Sequence, residues 1–575
     1  MSARFAWVDD AVAAGHSPAT IVGTAARRAG HPGLASVDAL PEAAGLDVPG
    51  PVRAADLGWI HERALDADRR HRDGVHYTPA GVTRRLAELT IGTNRSATVC
   101  DPAVGGGAFL LAAADHLRAL GVDPAEIVGE RLWGIDVDPV AVAVSRVALE
   151  LWAAEQGVET CTPAAHVVCA DTLEVGAAAF DRSPGFDVVL GNPPFQNQLG
   201  RSTARSAATS SALRDRWSVH AGPYADTAAW FIPAGLELAA PGGVVAFVEP
   251  QSLLVAADAA ALRALATSAA ELEGLWWGGR DVFAADVAVC APILRRLEDG
   301  GATSPDVTVA RWEGPDVVAV EPAQRPDGPS WGPLVADLLG APPVTPVAAG
   351  TVADMATATA GFRDEYYAVT SHLSESPEGD DPRLLTVGMI DPLHDRWGST
   401  SFRIARAAWH HPRVDMAALA ADTPRIADWV HDRLVPKVLV ATQTKVVEAL
   451  VDTRGDMVPS TPVVAVHCAR DRLWHLAAAL VSPVASAVAF ARVAGAALSS
   501  QTIKLSAKQV LELPLPPVGQ AWDAGAAAAR QVAEAGSAGE RLDRLAVLGR
   551  AMNDAYDVDD AQLLHWWLDR QPRRA

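Results

Sequence analysis

The sequence predicts an α/β protein, a parallel sheet built from βαβ units followed by a mixed α+β domain, and three observations carry that expectation. At 575 residues the chain exceeds what one core ordinarily holds, so two or three domains are expected. Its 49% hydrophobic and 20% charged residues are the composition of a folded globular protein. From about residue 74, short apolar runs ending in Gly, Asp or Pro alternate with longer helical patterns, the pattern of parallel strands joined by helices.

Taken in order, residues 1–73 are Ala-rich, with helical stretches broken by Gly and Pro and no recognisable chemistry. The first domain, 74–300, contains the strand candidates ATVCDP (97–102), LWGIDVDP (132–139), HVVCAD (166–171), FDVVLGNPPF (186–195) and GGVVAFVEP (242–250). A sixth candidate, DVAVCAPILRRL (286–297), would complete the sheet. Residues 301–350 are rich in Pro, Gly and Asp and read as a linker or irregular connection. The less regular stretch 351–517 suits a second domain, and the tail 518–575 has apolar residues near helical spacing.

A net charge of −21 argues against a protein that coats nucleic acid without specificity. The four lysines all fall within 431–510, where nine Arg and Lys face five Asp and Glu, a local net of +4. That stretch points to a phosphate-facing surface. No apolar run is long enough to cross a bilayer, and MSARFAWVDD lacks a basic start followed by a hydrophobic stretch, so a soluble, cytoplasmic protein without membrane contact is expected. Cys100, Cys161, Cys169, Cys290 and Cys468 show no CxxC spacing, which favours buried thiols over zinc ligands or disulfides, and no metal site is expected.

The stretch Asp101-Pro102-Ala103-Val104-Gly105-Gly106-Gly107 leaves a strand and enters the helical AFLLAAADHLRAL. Glycines let backbone approach a ligand, and a helix N-terminus offers free amides. The next strand ends in Gly134-Ile135-Asp136, where a carboxylate could accept both hydroxyls of a ribose. The third ends in Ala170-Asp171-Thr172, where one could receive an adenine amino group. Singly, Asp101 reads as a strand-end cap and the other two as solvated loop acids. Three acids closing three successive strands read instead as one pocket. The pyrophosphate fingerprint GxGxxG is not met, because position 110 is Leu. An adenosine ligand without a pyrophosphate is favoured, and S-adenosylmethionine fits.

Asn192-Pro193-Pro194-Phe195 closes the fourth strand. With this turn the sequence resembles the DNA adenine-N6 methyltransferases, TaqI-like and related type II enzymes. The resemblance covers about 74–297 and implies a Rossmann-like class I S-adenosylmethionine-dependent methyltransferase domain followed by a mixed α+β target-recognition domain. An exocyclic adenine amine is a poor nucleophile because its lone pair is delocalised into the ring. The Asn192 side-chain oxygen and a prolyl carbonyl could bind its two hydrogens and localise the lone pair, with Pro193 and Pro194 keeping the turn rigid. Phe195 would offer a flat face to a base rotated out of the duplex. Upstream, Gly74-Val75-His76-Tyr77-Thr78-Pro79 resembles the family element that holds the methionine end of the cofactor, with Thr78 supplying a hydroxyl and amide. Thr78-Pro79 also reads as a plain helix start. The resemblance places a second stacking ring near Phe283, with Trp276 and Trp277 as alternatives.

In the second half, ATAGFRDEYYAV (358–369), RLVPKVLVATQTKVVEALVDTRG (433–455) and the closing stretch 476–517 resemble pieces of target-recognition domains. Lys437, Lys445, Arg454 and Lys504 are the candidates for phosphate contact with double-stranded DNA. No lysine precedes position 437, so no fused nuclease is expected, and a separate restriction or defence partner would complete the system. Three alternatives stay open: methylation of RNA, methylation of a protein glutamine, and a non-catalytic or partner-dependent subunit of a defence complex. Target sequence and oligomeric state are not encoded in any short motif.

Overall fold

The computed structural model describes residues 2–572, except 32–33, 67–77, 160–165, 181, 184, 197, 199–203, 280–281, 283–286, 299, 305–306, 327, 362 and 495–501. The chain forms two compact units, Met1–Leu334 and Val335–Ala575.

The first unit is organised by one ten-stranded sheet. Strands β1 (Val99–Asp101), β2 (Leu132–Asp136), β3 (Val167–Cys169), β4 (Phe186–Gly191) and β5 (Ala239–Phe247) run parallel in the order β3-β2-β1-β4-β5. The short β6 (Glu249–Pro250) follows β5, and β7 (Ala270–Gly279) and β8 (Val289–Arg296) finish the α/β core. β8 lies antiparallel between β5 and β7. Val188, Val189 and Leu190 of β4 are all buried, because helices cover both faces of a parallel sheet. The helix Pro139–Glu155 shows how the sequence builds such cover. Asp138 caps its first turn, Pro139 sits at the first helical position, and its apolar residues are buried almost all round.

Two strands arise where a linker was expected. β9 (Thr308–Glu313) pairs in parallel with β7, and β10 (Val318–Gln324) pairs with β9, so 301–350 contributes the outer edge of the sheet. The boundary between the units falls inside the same stretch, at Leu334 and Val335. β7 carries AELEGLWWGG, whose three glycines and two glutamates hid a strand from pattern reading. The N-terminal helices α1 (Ala6–Ala13), α2 (Pro18–Arg28) and α3 (Ala54–Ala64) share a core with the sheet. Cys100 and Cys290 are buried, whereas Cys169 at the end of β3 is exposed, against the expectation of uniformly buried thiols.

The second unit centres on a four-stranded antiparallel sheet. β11 (Ala356–Ala360), β14 (Lys437–Ala441), β16 (Glu448–Asp452) and β17 (Val464–Cys468) lie in the order β11-β17-β14-β16. Two antiparallel ribbons also belong to this unit: β12 (Phe402–Ile404) with β13 (Ala407–Trp409), and β15 (Gln443–Thr444) with β18 (Ile503–Lys504). The helical tail beyond 517 forms three helices, and their Trp522, Leu548, Met552 and Trp567 join Leu476 and Phe490 in one core. Among the described residues no single helix is long and apolar enough to cross a membrane.

Candidate active site

The strand order reverses between β1 and β4, one leading to β2 and β3 and the other to β5. In open α/β sheets ligands bind beyond the carboxyl ends of the strands at such a switch point. The glycine loop follows β1 there, and the Asn-Pro-Pro-Phe turn follows β4.

The loop is wired to the acids around it. The N–H of Ala103 donates to Oδ1 of Asp101 at 3.0 Å, and that of Gly105 to Oδ2 of Asp136 at 2.8 Å. The Asp138 N–H donates to the other Asp136 oxygen at 2.9 Å. Ser145 Oγ donates to the Gly105 carbonyl at 2.6 Å, and Thr172 Oγ1 to that of Pro102 at 2.5 Å. Gly105 and Gly107 adopt φ of 52° and 84°, a conformation that favours glycine. Gly106 serves a different purpose. A Cβ built there would lie 2.3 Å from the Cα of Gly58 on α3, so the loop and the N-terminal helix touch backbone to backbone.

Asp101 is 1% exposed, and burial pushes its carboxyl up to about 8, with the neighbouring Asp136 adding to the shift. Burial also raises Asp136, against the pull of the amides it accepts. A Cβ at Gly191 would sit 2.4 Å from Oδ1 of Asp101, so the residue before Asn192 is glycine because the acid of β1 closes against it. Asp171 departs from this pattern. It is exposed, and its Oδ1 caps the short helix Thr172–Val175 by accepting the Leu173 N–H at 2.9 Å.

Nδ2 of Asn192 donates to Oγ1 of Thr78 at 3.0 Å, joining two motifs 114 residues apart. Thr78 is buried and makes no side-chain cap on α4 (Ala80–Ile91), so its hydroxyl serves the turn rather than the helix start. Pro193 is buried, and Phe195 is half-buried against the core. Past the turn, Oδ1 of Asp226 accepts the N–H of Gln196 at 3.0 Å and of Ala228 at 3.1 Å, fixing the chain as it leaves Phe195. Sequence reading missed Asp226; it lies in a loop, where its Asx turn to the Ala228 N–H leaves no pattern in the sequence. It also missed Glu249, wholly buried at β6, whose carboxyl burial raises well above the usual range.

Thr78, Asp101, Ala103, Gly105, Gly107, Asp136, Asp171, Thr172 and Asn192–Phe195 thus lie at the carboxyl end of one sheet, with Asp171 the exposed member. Gly74–Tyr77 and Phe283 lie outside the described residues. Of the alternatives to Phe283, Trp276 is fully buried, with Nε1 donating to the Gly314 carbonyl at 2.9 Å, and is a core residue. Trp277 is half-buried at the end of β7.

The phosphate candidates divide. Lys437 is 0% exposed, its Nζ donating to Oδ2 of Asp452 at 2.7 Å, and cannot reach a phosphate, because the pairing of β14 with β16 sets it opposite that buried acid. Lys445 and Lys504 are exposed on the β15–β18 ribbon, and Arg454 is exposed and ion-paired with Asp456 at 2.8 Å.

The sheet order and this end of the sheet define a class I S-adenosylmethionine-dependent methyltransferase fold. Residues 56–297 match the family model for N-6 DNA methylase. The type II methyltransferase M.VspI of Vibrio sp. (strain 343) is 26% identical over 197 residues, 34% of this chain, and the match spans 42% of that relative's length. The type IIL restriction-modification enzyme MmeI in complex with DNA superposes with a TM-score of 0.58 at 13% identity, covering 90% of this chain and 81% of that one. A modification subunit of a type I restriction enzyme from Vibrio vulnificus YJ016 is 21% identical over 45% of this chain and 51% of that one, with a TM-score of 0.35.

Proposed function

We propose that the protein transfers the methyl group of S-adenosylmethionine to the N6 amine of an adenine in duplex DNA, as the modification activity of a restriction-modification system. The carrying observation is the Thr78–Asn192 hydrogen bond at the switch point, which sets the Asn-Pro-Pro-Phe turn beside the buried Asp101.

The donor set fits the cofactor. Asp101 is a buried acid and Asp136 a half-buried one beside a glycine loop, and a ligand carrying an ammonium and a sulfonium would compensate that negative charge. Asp136 keeps a second lone pair on each oxygen for the ribose hydroxyls. The cofactor supplies an electrophilic methyl group. The chain's own part is to hold the amine: Thr78 turns the Asn192 amide so that its Nδ2 is occupied and its Oδ1 remains the acceptor for an N6 hydrogen. A prolyl carbonyl of the rigid turn accepts the second, and Phe195 stacks on the ring.

Incubation with S-adenosylmethionine and unmethylated genomic DNA, followed by single-molecule mapping of N6-methyladenine, tests the reading. One methylated motif is expected, and Asn192→Ala should lower the rate about 100- to 1,000-fold while cofactor binding persists. Cofactor binding with no methylated DNA would overturn it. The net charge of −21 favours a second reading, in which a partner is needed to hold DNA; very weak duplex binding by the isolated protein even at low salt would support it.

A further inference from the structure

The β12–β13 ribbon carries exposed arginines on a turn its residues do not favour. Ala405 and Arg406 adopt φ of 48° and 71°, and Ile404 pairs with Ala407 to close a two-residue hairpin. Positive φ at both central positions is the geometry Asn-Gly adopts readily and L residues with a Cβ resist. Such strain persists only where the surroundings impose it, and it concentrates at ligand-contacting places. Here the hold is identifiable: the Ala405 N–H donates to the Tyr366 hydroxyl at 3.2 Å, and Ile404 is buried beneath the turn.

Size and charge complete the case. Ala405, Ala407 and Ala408 are exposed and small, so Arg403 and Arg406 are the long side chains of a slim ribbon. Residues 396–414 hold four Arg, two His and no acid, in a chain of net charge −21. Arg396 is committed to Asp391 at 3.6 Å, and Arg413 donates to the carbonyls of Ser376 at 3.0 Å and Asp381 at 2.5 Å. Arg403 and Arg406 are exposed and have no hydrogen-bond or ion-pair partner among the described residues.

We propose that this ribbon enters a groove of duplex DNA, with Arg406 at its tip reading base edges and Arg403 contacting a phosphate. The inference rests on the DNA reading above and adds the element and residues that select the sequence. A major groove about 12 Å wide admits a two-stranded ribbon, and a guanidinium fork matches guanine O6 and N7. Strain is useful at such a tip, because a pre-bent turn presents the fork without ordering it on contact.

The test uses the full chain to select bound sequences from a random duplex pool, a readout that needs no methyl transfer. Wild type should enrich one motif. Arg406→Ala should enrich the same motif with one base pair degenerate and bind the parental site about 5- to 100-fold more weakly. Arg406→Lys, which keeps the charge but not the fork, should relax the same position. Arg403→Ala should keep the motif and lower the salt slope by about one. An unchanged motif and affinity in both Arg406 variants overturns the proposal. Mapping methylated sites with the same variants separates the two failures. Wild type and Arg406→Ala methylating one motif equally leaves the reaction standing without this role for the ribbon, whereas a wild type that neither binds nor methylates duplex overturns both.

Discussion

Asp101 in the first unit and Asp452 in the second are both 1% exposed, and the two units treat the buried charge in opposite ways. Asp452 holds the Lys437 ammonium at 2.7 Å and accepts the N–H groups of Gly455 at 2.7 Å and Met457 at 3.1 Å. Asp101 accepts the Ala103 N–H, faces Asp136, and has no cation among the described residues. A closed pair is structural. An acid left uncompensated beside an open glycine loop is prepared for a ligand that brings the charge. Lys437 and Asp101 were both read as ligand contacts in the sequence; the structure closes the first in a buried ion pair and leaves the second without a cation among the described residues.

The largest expected effect tests the open acid. With its carboxyl raised to about 8, Asp101 favours the protonated fold. Relative to an Asp101→Asn variant, wild-type stability should be highest below about pH 4, fall as pH rises toward 8, and level off above it, by at most roughly 6 kcal/mol. Urea midpoints of both proteins between pH 4 and 9 would show the divergence. Curves that stay parallel would mean Asp101 is already compensated, and the contrast would vanish.

The closed pair makes the next prediction. Lys437→Met strands Asp452 without its cation and should cost about 3–5 kcal/mol of unfolding free energy. Adding Asp452→Asn should recover part of it, because it removes the stranded charge and its one amide oxygen can still accept from Gly455, while the Nδ2 in place of the second oxygen cannot accept from Met457. A loss under about 1 kcal/mol in the single variant would show that solvent reaches the pair.

How much the sequence disclosed follows the same division. The strands around the switch point were readable because each is a short apolar run ended by a residue with a chemical task, Asp101, Asp136 or Asn192. β7 and β10 were not, since glutamates and glycines on edge-ward strands break the alternation that marks a buried face. In the second unit Lys437 was misread because composition counts charges without locating them, and only the pairing of β14 with β16 sets Lys437 opposite Asp452. Gly58 was a missed signal of another sort: a glycine inside the helix AADLGWIHERA weakens it and implies that another backbone comes close.

That contact yields a smaller effect. Gly106→Ala forces the loop and α3 apart at a point where both sides are backbone, and should cost about 1–3 kcal/mol in thermal unfolding. Gly58→Ala addresses the same contact, so the double variant should lose less than the sum. Additive losses would indicate that the two glycines act separately and that α3 does not brace the loop.

The smallest effects should come from the exposed lysines. Gln443 pairs with Lys504 and Lys445 directly follows β15, so the two lysines belong to opposite sides of one short ribbon. Each phosphate contact removed lowers the slope of log affinity against log salt by about 0.9 without altering which sequence is bound. Lys445→Ala and Lys504→Ala should therefore each flatten the salt dependence of duplex binding by about one and leave folding stability within about 0.5 kcal/mol of wild type. Lys437→Met with Asp452→Asn, once folded, should leave that slope where it was, because its charge never reaches the surface. If the buried pair changed the slope and the exposed lysines did not, the assignment of ligand-facing and structural charge in the second unit would have to be reversed.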